Sequence, residues 1–297
     1  MAGSGFIYDN RRRLQVLAAK IFPLQMMDKI YTKILCGYIP NLSNPQTFNE
    51  KVQWLKLNYF PNNDLVVSMT DKYKVRSVLK KMGLEKLLPE LYFVADSADD
   101  IPWETLPDKF VIKCNHGCAY NIICSDKSTF DIDLAKKKIK KWLKQDFGLY
   151  NIEPHYSKIE RKVFAEKFLG NKLVDYKFFC FNGEPKFLYV SLDLAHDSTA
   201  KMSYFDVAWN KLPLIRDDYA DYTDVKKPDC FDELLHYARI LSKPFPFVRA
   251  DFYVIDETPI FSEMTFTPSA GMMPVCPRHY DRDWGKMIDL NQIKHEG

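Results

Sequence analysis

The sequence predicts an α+β fold, and three observations lead to this prediction. Apolar residues in the N-terminal third recur at spacings of three and four, which is typical of amphipathic helices. The C-terminal half carries short β-branched and aromatic runs separated by turn pairs such as Asn182-Gly183. Hydrophobic residues make up 46% and charged residues 27% of the 297 residues, as in ordinary globular proteins with a packed core.

Charge and cysteine content narrow the classes of protein. With 42 Lys and Arg against 39 Asp and Glu, the net charge is only +3, so nucleic acid is not an expected partner. The seven cysteines include no Cys-x-x-Cys pair, which favours reduced thiols and a cytoplasmic location. No apolar run reaches the roughly 20 residues that span a bilayer, and no signal-peptide pattern is present. Residues 1–5 resemble an expression tag or a truncation point.

Residues 1–62 are predicted as a helical N-terminal region. Its first stretch begins with Arg11, Arg12 and Arg13, and docking on the core is its simplest role. Contact of this basic stretch with a membrane surface is left open as the alternative. Apolar residues at positions 48, 52 and 55 share one face of a short helix expected within residues 44–57. A further helix is expected over residues 64–82, with Gly83 as its stop.

The middle of the chain is predicted to change from helix to strand and back. Residues 110–113 read as a buried strand that runs into a glycine-containing loop, where the long side chain of Lys113 could reach a phosphate or simply extend to solvent. Asp131 is expected to cap a helix whose many lysines form a solvated face or attract an acidic polymer.

The C-terminal half is predicted to contain two hairpins and a helix over residues 231–242. The first hairpin pairs residues 176–181 with 186–190, and the second pairs residues 247–255 with 260–266. A separate strand is expected at residues 163–168.

The second hairpin carries the candidate chemistry. Arg249 and Asp251 share one face of their strand, and Asp251 and Glu263 are equidistant from Glu257 in the turn, so the two acids are expected to oppose each other. Opposed carboxylates need a cation, and Mg²⁺ is typically held by one or two carboxylates together with substrate phosphates. Exposed acids in water are the alternative. The tight turn at residues 267–271 follows directly and offers backbone N–H groups to an anion.

Six motifs occur in order along the chain: DKYKVR (71–76), FVIKCNHG (110–117), AEKFL (165–169), Asp175 in DYKFFCFNG, VRADF (248–252) and SEMTFTPSAG (262–271). On these motifs, residues 44 to about 289 resemble the ATP-grasp superfamily, and within it the TupA-like branch associated with teichuronopeptide and other cell-surface polysaccharide synthesis. One departure concerns Thr265, which stands where the wider superfamily usually has Asn.

The resemblance implies an ATP-grasp domain over residues 63–297, in which two α+β lobes, 63–162 and 163–297, clamp ATP. It further implies a ligase that forms an amide through an acyl phosphate, with a uronic acid of a surface polysaccharide or its nucleotide-sugar precursor as the acid and an amino acid or small amine as the nucleophile. A glycosyltransferase of capsule or cell-wall synthesis is the main alternative. A kinase and a non-catalytic nucleotide-binding module are two others. Peripheral association with a membrane or a polysaccharide-assembly complex is left open.

The same resemblance implies roles for individual residues. His116 is expected to act either as a general base or as a neutral hydrogen-bond donor. Binding of ATP is assigned to Lys72, Lys113, Gly117, Glu166, Lys167, Phe168 and Asp175; binding of Mg²⁺ to Asp251, Glu263 and Thr265; catalysis to Arg249, Lys113 and His116; and contact with the substrates to Asn115, Tyr120, Asn121, Thr267 and Ser269.

Overall fold

The computed structural model describes residues 2–192, 200–214 and 219–293, and in this part of the chain it contains nine α-helices and ten strands. The helices are α1 (Ala2–Ile21), α2 (Leu24–Cys36), α3 (Phe48–Asn58), α4 (Asp64–Thr70), α5 (Val75–Lys81), α6 (Ile132–Leu143), α7 (Pro154–Ser157), α8 (Phe231–Ser242) and α9 (His279–Lys286). The strands are β1 (Leu91–Ala95), β2 (Phe110–Cys114), β3 (Asn121–Cys124), β4 (Val163–Lys167), β5 (Val174–Phe181), β6 (Glu184–Leu192), β7 (Lys201–Asp206), β8 (Ala220–Asp221), β9 (Phe247–Ile255) and β10 (Thr258–Thr265). None of the helices described has the length and apolar character needed to cross a membrane.

The helix predicted over residues 64–82 is two helices, and Asp71 is the reason. Asp71 ends α4 in an extended conformation, and its carboxylate accepts hydrogen bonds from the backbone N–H groups of Tyr73 and Lys74. Aspartate side chains compete in this way with the helical backbone and favour turns and helix ends. The break lets Lys72 leave the helix axis, and its backbone N–H instead bonds the carbonyl of Asn115.

The smaller sheet has the order β1-β4-β2-β3 and is antiparallel throughout. Helix α6 is capped as predicted, because the Asp131 side chain accepts from the N–H of Leu134, and it buries Ala135 and Ile139. Strand β4 was assigned from the sequence to the larger lobe, but it pairs with β1 and β2 in this sheet. The boundaries of the domains at residues 62 and 162 stay a prediction.

The larger sheet has the order β10-β9-β5-β6-β7-β8. Its β5–β6 hairpin turns at Asn182 and Gly183, whose φ values of 49° and 81° are those of the predicted tight turn. Helix α8 packs against β5, β6 and β9, with Phe231 next to Phe178. Successive side chains of a strand alternate between faces, so Phe179, which contacts Phe48 of α3, lies on the opposite face.

Helix α3 joins the N-terminal helices to the segment that follows β10. A capping box of Thr47 and Glu50 starts the helix, and Phe48, Val52 and Leu55 are fully buried as their spacing predicts. Another stripe of the same helix is polar and binds main-chain groups of residues 270–273. Its contacts are Asn49 with both the N–H (2.9 Å) and the carbonyl (2.8 Å) of Met273, Gln53 Nε2 with the carbonyl of Gly271 (2.9 Å) and Lys56 Nζ with the carbonyl of Ala270 (2.7 Å).

These contacts hold an unusual backbone. Ser269, Ala270 and Gly271 all have positive φ values, of 50°, 57° and 74°. Positive φ is unfavourable for residues other than glycine, and such conformations persist only where surrounding contacts impose them. Lys56 is itself completely buried and is neutralised by Asp28 of α2 at 2.5 Å. The N-terminal helices are therefore part of the framework that shapes the turn after β10.

Replacing Lys56 with Met is expected to lower the free energy of unfolding by about 3–5 kcal/mol, because it leaves the Asp28 carboxylate buried without a counter-ion. Chemical denaturation measures the change. Lys140→Met is the matched control: its partner Asp99 is exposed, and loss of an exposed ion pair costs less than about 1 kcal/mol. Equal effects of the two substitutions would contradict the structural role of Lys56.

Candidate active site

The two predicted acids face each other across the β9–β10 hairpin, as expected. The turn is only the pair Asp256-Glu257, so Ile255 opposes Thr258 and Phe252 opposes Phe261. This register alone would place Ser262 opposite Asp251. A bulge between Phe261 and Glu263 adds one residue, and Glu263 is thereby paired with Asp251.

Asp251 is the centre of the site. Its side chain has no exposed surface, and it accepts hydrogen bonds from Arg249 Nε (2.7 Å), Arg249 Nη2 (2.6 Å) and Lys177 Nζ (3.0 Å). Lys177 lies on neighbouring strand β5 directly opposite Asp251 and also contacts Asp175 at 2.9 Å. Burial lowers the pKa of Lys177, but Asp175 and Asp251 more than offset this and raise it well above its usual value. Lys177 is thus a permanent cation that the sequence analysis did not assign to the site.

Glu263 extends this group of charges toward α5. It forms an ion pair with Lys72, and Arg249 Nη2 lies 3.7 Å from its other oxygen. Burial raises the pKa of Glu263, yet the three cations Lys72, Lys177 and Arg249 hold it well below its usual range. Glu263 is therefore ionised at any physiological pH. We call the residues Lys72, Asp175, Lys177, Arg249, Asp251 and Glu263 the charge cluster.

A second group of charges lies on the smaller sheet. Lys113 of β2 forms an ion pair with Glu166 of β4, and Arg76 of α5 lies 3.5 Å from the same carboxylate. Arg76 Nη2 also donates to the carbonyl of Pro89 at 2.6 Å. A cavity of only about 10 Å³ lies between this group and the charge cluster, lined by Lys72, Lys113, Glu166 and Ser262. The predicted phosphate-binding lysines are thus brought to one place, each with a carboxylate.

The loop after β2 does not bring its predicted side chains into the charge cluster. Asn115 is fully buried, and its amide bonds Asp71 (2.9 Å), the carbonyl of Glu160 (2.8 Å) and the N–H of Lys162 (2.7 Å). These three contacts occupy the Asn115 amide, and its predicted contact with substrate stays a prediction. Asn115 holds Asp71, the aspartate that ends α4, and Asp71 directly precedes Lys72 in the chain. Asn115 therefore helps to fix the position of Lys72.

His116 and Tyr120 are packed under α6. His116 Nε2 lies 3.0 Å from the carbonyl of Trp142, and burial lowers the pKa of the ring. The Tyr120 ring stacks on Trp142, and its hydroxyl donates to Gln145 at 2.6 Å. A Cβ on Gly117 would lie 2.7 Å from the Tyr120 ring, so this glycine is required for packing. His116 is thus packed under α6 and not within the charge cluster, and its two predicted roles, general base and hydrogen-bond donor, both stay predictions.

The remaining predicted residues lie at the margins of the site. Asn121 is exposed on β3 opposite Lys113, and Lys167 and Phe168 follow Glu166 at the end of β4, exposed and half-buried respectively. Ser269 is exposed in the turn after β10. The hydroxyl of Thr265 accepts a hydrogen bond from Arg249 Nη2 at 2.9 Å and donates to Glu263 Oε1 at 3.5 Å, and its role as a metal ligand stays a prediction.

Glu153 is a buried acid that the sequence analysis missed. The hydroxyl of Thr267, predicted as a substrate contact, donates to its carboxylate at 2.5 Å. Burial raises the pKa of Glu153 to about 7, against the opposing effects of Thr267, Lys56 and Arg12. Nearby His155 is held neutral, because burial and Lys56 lower its pKa to about 3. The turn after β10 therefore rests on a carboxyl group that titrates near neutral pH.

The donor set fits Mg²⁺ bound together with phosphates. In the described ranges 2–192, 200–214 and 219–293, no group of three or more His, Cys, Asp or Glu side chains converges on one point. Asp251 and Glu263 are register partners across the β9–β10 hairpin. Mg²⁺ is commonly held by one or two carboxylates plus substrate phosphates, so these two side chains suit a metal that arrives with a nucleotide.

The family model for TupA-like ATP-grasp proteins matches residues 50–289, which include every residue of the charge cluster. The chain belongs to the TupA-like ATP-grasp family. This confirms the predicted family and fold class. ATP-grasp proteins of this kind are carboxylate-amine ligases that use ATP and Mg²⁺, so the predicted enzyme class and cofactors are confirmed with them.

No curated protein matches the sequence. Among solved structures, D-alanine-D-alanine ligase from Bacillus anthracis in complex with ATP is similar, with 15% identity, a TM-score of 0.49 and coverage of 77% of this chain and 69% of the ligase. L-amino acid ligase from Bacillus licheniformis has 14% identity and a TM-score of 0.42, with 70% of this chain and 45% of that one covered. The assignment of the family rests on the family match.

Replacing Glu153 with Gln is expected to change how stability depends on pH. A carboxyl group whose folded pKa is raised binds its proton more tightly in the folded state, so wild-type stability falls as the pH rises from about 4.5 to about 7. The variant has no carboxyl group at this position, so its stability does not fall in this way. Its free energy of unfolding should equal that of the wild type near pH 4.5 and exceed it by roughly 3 kcal/mol above pH 7, because the folded and unfolded pKa values of Glu153 differ by about 2.5.

Urea denaturation at both pH values measures the difference. Glu90→Gln serves as the control, because this carboxylate is exposed and its replacement should have the same small effect at each pH. A Glu153→Gln effect that did not change with pH would show that Glu153 keeps an ordinary pKa.

Proposed function

We propose that this protein joins the carboxylate of a uronic acid to an amine, with ATP as the energy source and an acyl phosphate as the intermediate. The observation that supports the proposal best is the charge cluster, in which three cations and three carboxylates lie between the two sheets of an ATP-grasp chain. The acid would belong to a surface polysaccharide or to its nucleotide-sugar precursor. The amine would be an amino acid or a small amine.

Lys72 and Lys113 would bind the phosphates of ATP. Each lysine is now paired with a carboxylate, Glu263 or Glu166, and the cavity between them is too small for a nucleotide. Binding would therefore exchange a carboxylate partner of each lysine for a phosphate oxygen. The exchange conserves charge compensation, so its free-energy cost is far lower than that of breaking a buried ion pair outright.

The end of β4 would receive the rest of the nucleotide. Glu166, Lys167 and Phe168 follow one another there, which places an acid, backbone groups and an apolar ring at one strand end for the adenine. Asp175 would bind the ribose hydroxyls. Its present partner Lys177 also holds Asp251, so Lys177 would remain neutralised when Asp175 turns to the ribose.

Asp251 and Glu263 would hold Mg²⁺, which supplies positive charge beside the phosphoryl group that is transferred. Among the side chains of the protein itself, Arg249 would make the main catalytic contribution. Asp251 fixes the guanidinium through two hydrogen bonds, and the same Nη2 atom reaches Thr265 and Glu263. A guanidinium oriented in advance can stabilise negative charge on the phosphoryl oxygens and then on the tetrahedral oxyanion.

The reaction needs no covalent intermediate on the protein. The substrate carboxylate oxygen attacks the γ-phosphorus and ADP leaves. The amine nitrogen then attacks the acyl carbon, phosphate leaves and the nitrogen loses a proton. Each step places negative charge on oxygens beside Arg249, Lys72 and Lys113. These cations would stabilise that charge.

The Asp-x-Asp sequence Asp131-Ile132-Asp133 lies at the start of α6, and Asp131 accepts a hydrogen bond from the N–H of Leu134 at 2.9 Å. Asp131 is thus a helix cap, which gives no support to the alternative, a glycosyltransferase.

Release of ADP from MgATP tests the proposed reaction. A panel of uronic acids and nucleotide uronates is supplied with and without a mixture of amino acids and small amino alcohols. We expect ADP only when both an acid and an amine are present, together with an amide product. Formation of a phosphate ester without an amine would indicate a kinase, and sugar transfer from a nucleotide sugar without ADP would overturn the ligase proposal.

Glu263→Gln and Asp251→Asn are expected to differ in stability although both abolish turnover. Replacement of Glu263 removes a proposed Mg²⁺ ligand and should lower kcat by at least about 100-fold; because its side chain is partly exposed, the loss of stability should be smaller than for Asp251→Asn. Asp251→Asn leaves Arg249 and Lys177 buried with one carboxylate fewer, and about 3–5 kcal/mol of stability should be lost as well.

Kinetics of ADP release and thermal denaturation measure the two effects. Asp256→Asn on the same hairpin is the control: Asp256 is exposed at a positive φ of 48°, which Asn adopts readily, so activity and stability should both persist. Full turnover by the Glu263→Gln variant would remove Glu263 from the metal site.

A further inference from the structure

Helices α1 and α2 expose a large amount of apolar surface. Of the fourteen large apolar side chains that are exposed in the described residues, nine lie between residues 14 and 39, and they are 39–71% exposed. The other five are scattered over the rest of the chain. We call the nine the α1/α2 surface: Leu14, Leu17, Ile21, Phe22, Met26, Ile30, Ile34, Leu35 and Ile39.

Six of these side chains form two stripes, one on each helix. Leu14, Leu17 and Ile21 follow a helical spacing of three and four, and Met26, Ile30 and Ile34 follow a spacing of four. The opposite faces of both helices pack on one small cluster formed by Ala19, Met27 and Ile152, with partly buried neighbours around it. Since both inner faces meet the same cluster, both apolar stripes point outward from it.

A groove runs along this surface and combines apolar and basic side chains. Met26, Ile30, Ile34 and Ile39 line it, together with Lys29 and Lys33, and it encloses about 620 Å³. Lys33 Nζ reaches the carbonyl of Gly37 at 3.0 Å, which places its charge at the C-terminal end of α2. Long basic side chains beside an apolar stripe are typical of helices that lie in a membrane interface.

The charge of this region is of one sign. Residues 10–49 contain six Lys and Arg and a single acid, Asp28. Asp28 is completely buried and paired with Lys56, so it contributes no exposed negative charge. Arg13, Lys20 and Lys33 are exposed beside the apolar stripes. The chain as a whole has a net charge of only +3, and the α1/α2 surface is therefore a local basic and apolar patch.

The combination of apolar and basic side chains on the α1/α2 surface fits an anionic bilayer better than it fits a second copy of the chain or another protein. A second copy would bring identical lysines together, which is unfavourable, and the cores of protein interfaces are depleted of lysine. A bilayer with anionic headgroups accepts apolar side chains in its acyl region and attracts lysines at its surface. We propose that the α1/α2 surface binds the interface of a membrane that contains anionic lipids.

Co-sedimentation of the full chain with lipid vesicles tests this proposal. We expect binding to vesicles of phosphatidylcholine mixed with phosphatidylglycerol, little binding to phosphatidylcholine alone, and loss of binding as salt is raised. The variant Lys20→Gln/Lys29→Gln/Lys33→Gln should bind about 100-fold more weakly, from roughly fivefold for each lysine near a charged membrane. The triple variant Lys137→Gln/Lys138→Gln/Lys144→Gln on and after the Lys-rich α6 removes the same charge elsewhere and should bind as the wild type does.

The apolar part of the surface is tested separately. Ile30→Asn/Ile34→Asn should reduce binding at least about tenfold, because two exposed side chains no longer enter the acyl region. Leu134→Asn is the control, since Leu134 is also exposed and lies among lysines on α6. Of the substituted side chains Lys29 is half-buried and the others are exposed, and thermal denaturation confirms that each variant is folded.

Three results would overturn the proposal. The first is no binding to either type of vesicle, and the second is equal loss of binding in the α6 control variants. The third is a dimer in solution that Ile30→Asn/Ile34→Asn dissociates, which would assign the surface to a second copy of the chain. A failure of the vesicle experiment leaves the ligase assay unaffected, because that assay uses soluble substrates.

Discussion

Burial of the Asp251 carboxylate determines the arrangement of the candidate site. An ionised carboxylate without solvent contact needs hydrogen-bonding cations, and Arg249 and Lys177 provide them from the same strand and the neighbouring one. Lys177 in turn fixes Asp175, and Arg249 reaches toward Glu263 and Thr265. Glu263 then holds Lys72. One buried charge thus organises side chains from β5, from both strands of the β9–β10 hairpin and from the turn between α4 and α5.

The second constraint is the polar stripe of α3. The turn at residues 269–271 has three successive positive φ values, and the main-chain contacts of Gln53 and Lys56 compensate for this conformation. The turn directly follows the hairpin that carries Asp251 and Glu263. Because α3 is also packed on the larger sheet through Phe48, it fixes the turn relative to that sheet. The N-terminal helices therefore support the candidate site although they contribute none of its charges.

Periodicity and turn pairs were sufficient to predict the helices α3, α6 and α8 and both hairpins. The opposition of Asp251 and Glu263 was predicted from their equal distance from Glu257, yet the actual cause is a bulge, which spacing does not reveal. The break at Asp71 and the inward packing of His116 depend on tertiary contacts with Asn115 and Trp142. Lys177 left a signal that was overlooked: a lysine at the centre of a strand of buried aromatic residues needs an acid on the same face, and Asp175 lies two residues before it.

The surface of α2 and the turn after β10 are joined by buried polar contacts. Thr32 of α2 donates to Gln53 Oε1 at 3.1 Å, and Asp28 of α2 holds Lys56 at 2.5 Å. Gln53 and Lys56 are the same two residues of α3 that bind the carbonyls of Gly271 and Ala270. Displacing α2 from the body would leave these groups buried and unpaired, at a cost of several kcal/mol. A chain bound to a membrane through α2 would consequently hold the turn beside its charge cluster at a fixed distance from the bilayer, which suits a ligase whose acceptor is itself attached to that surface.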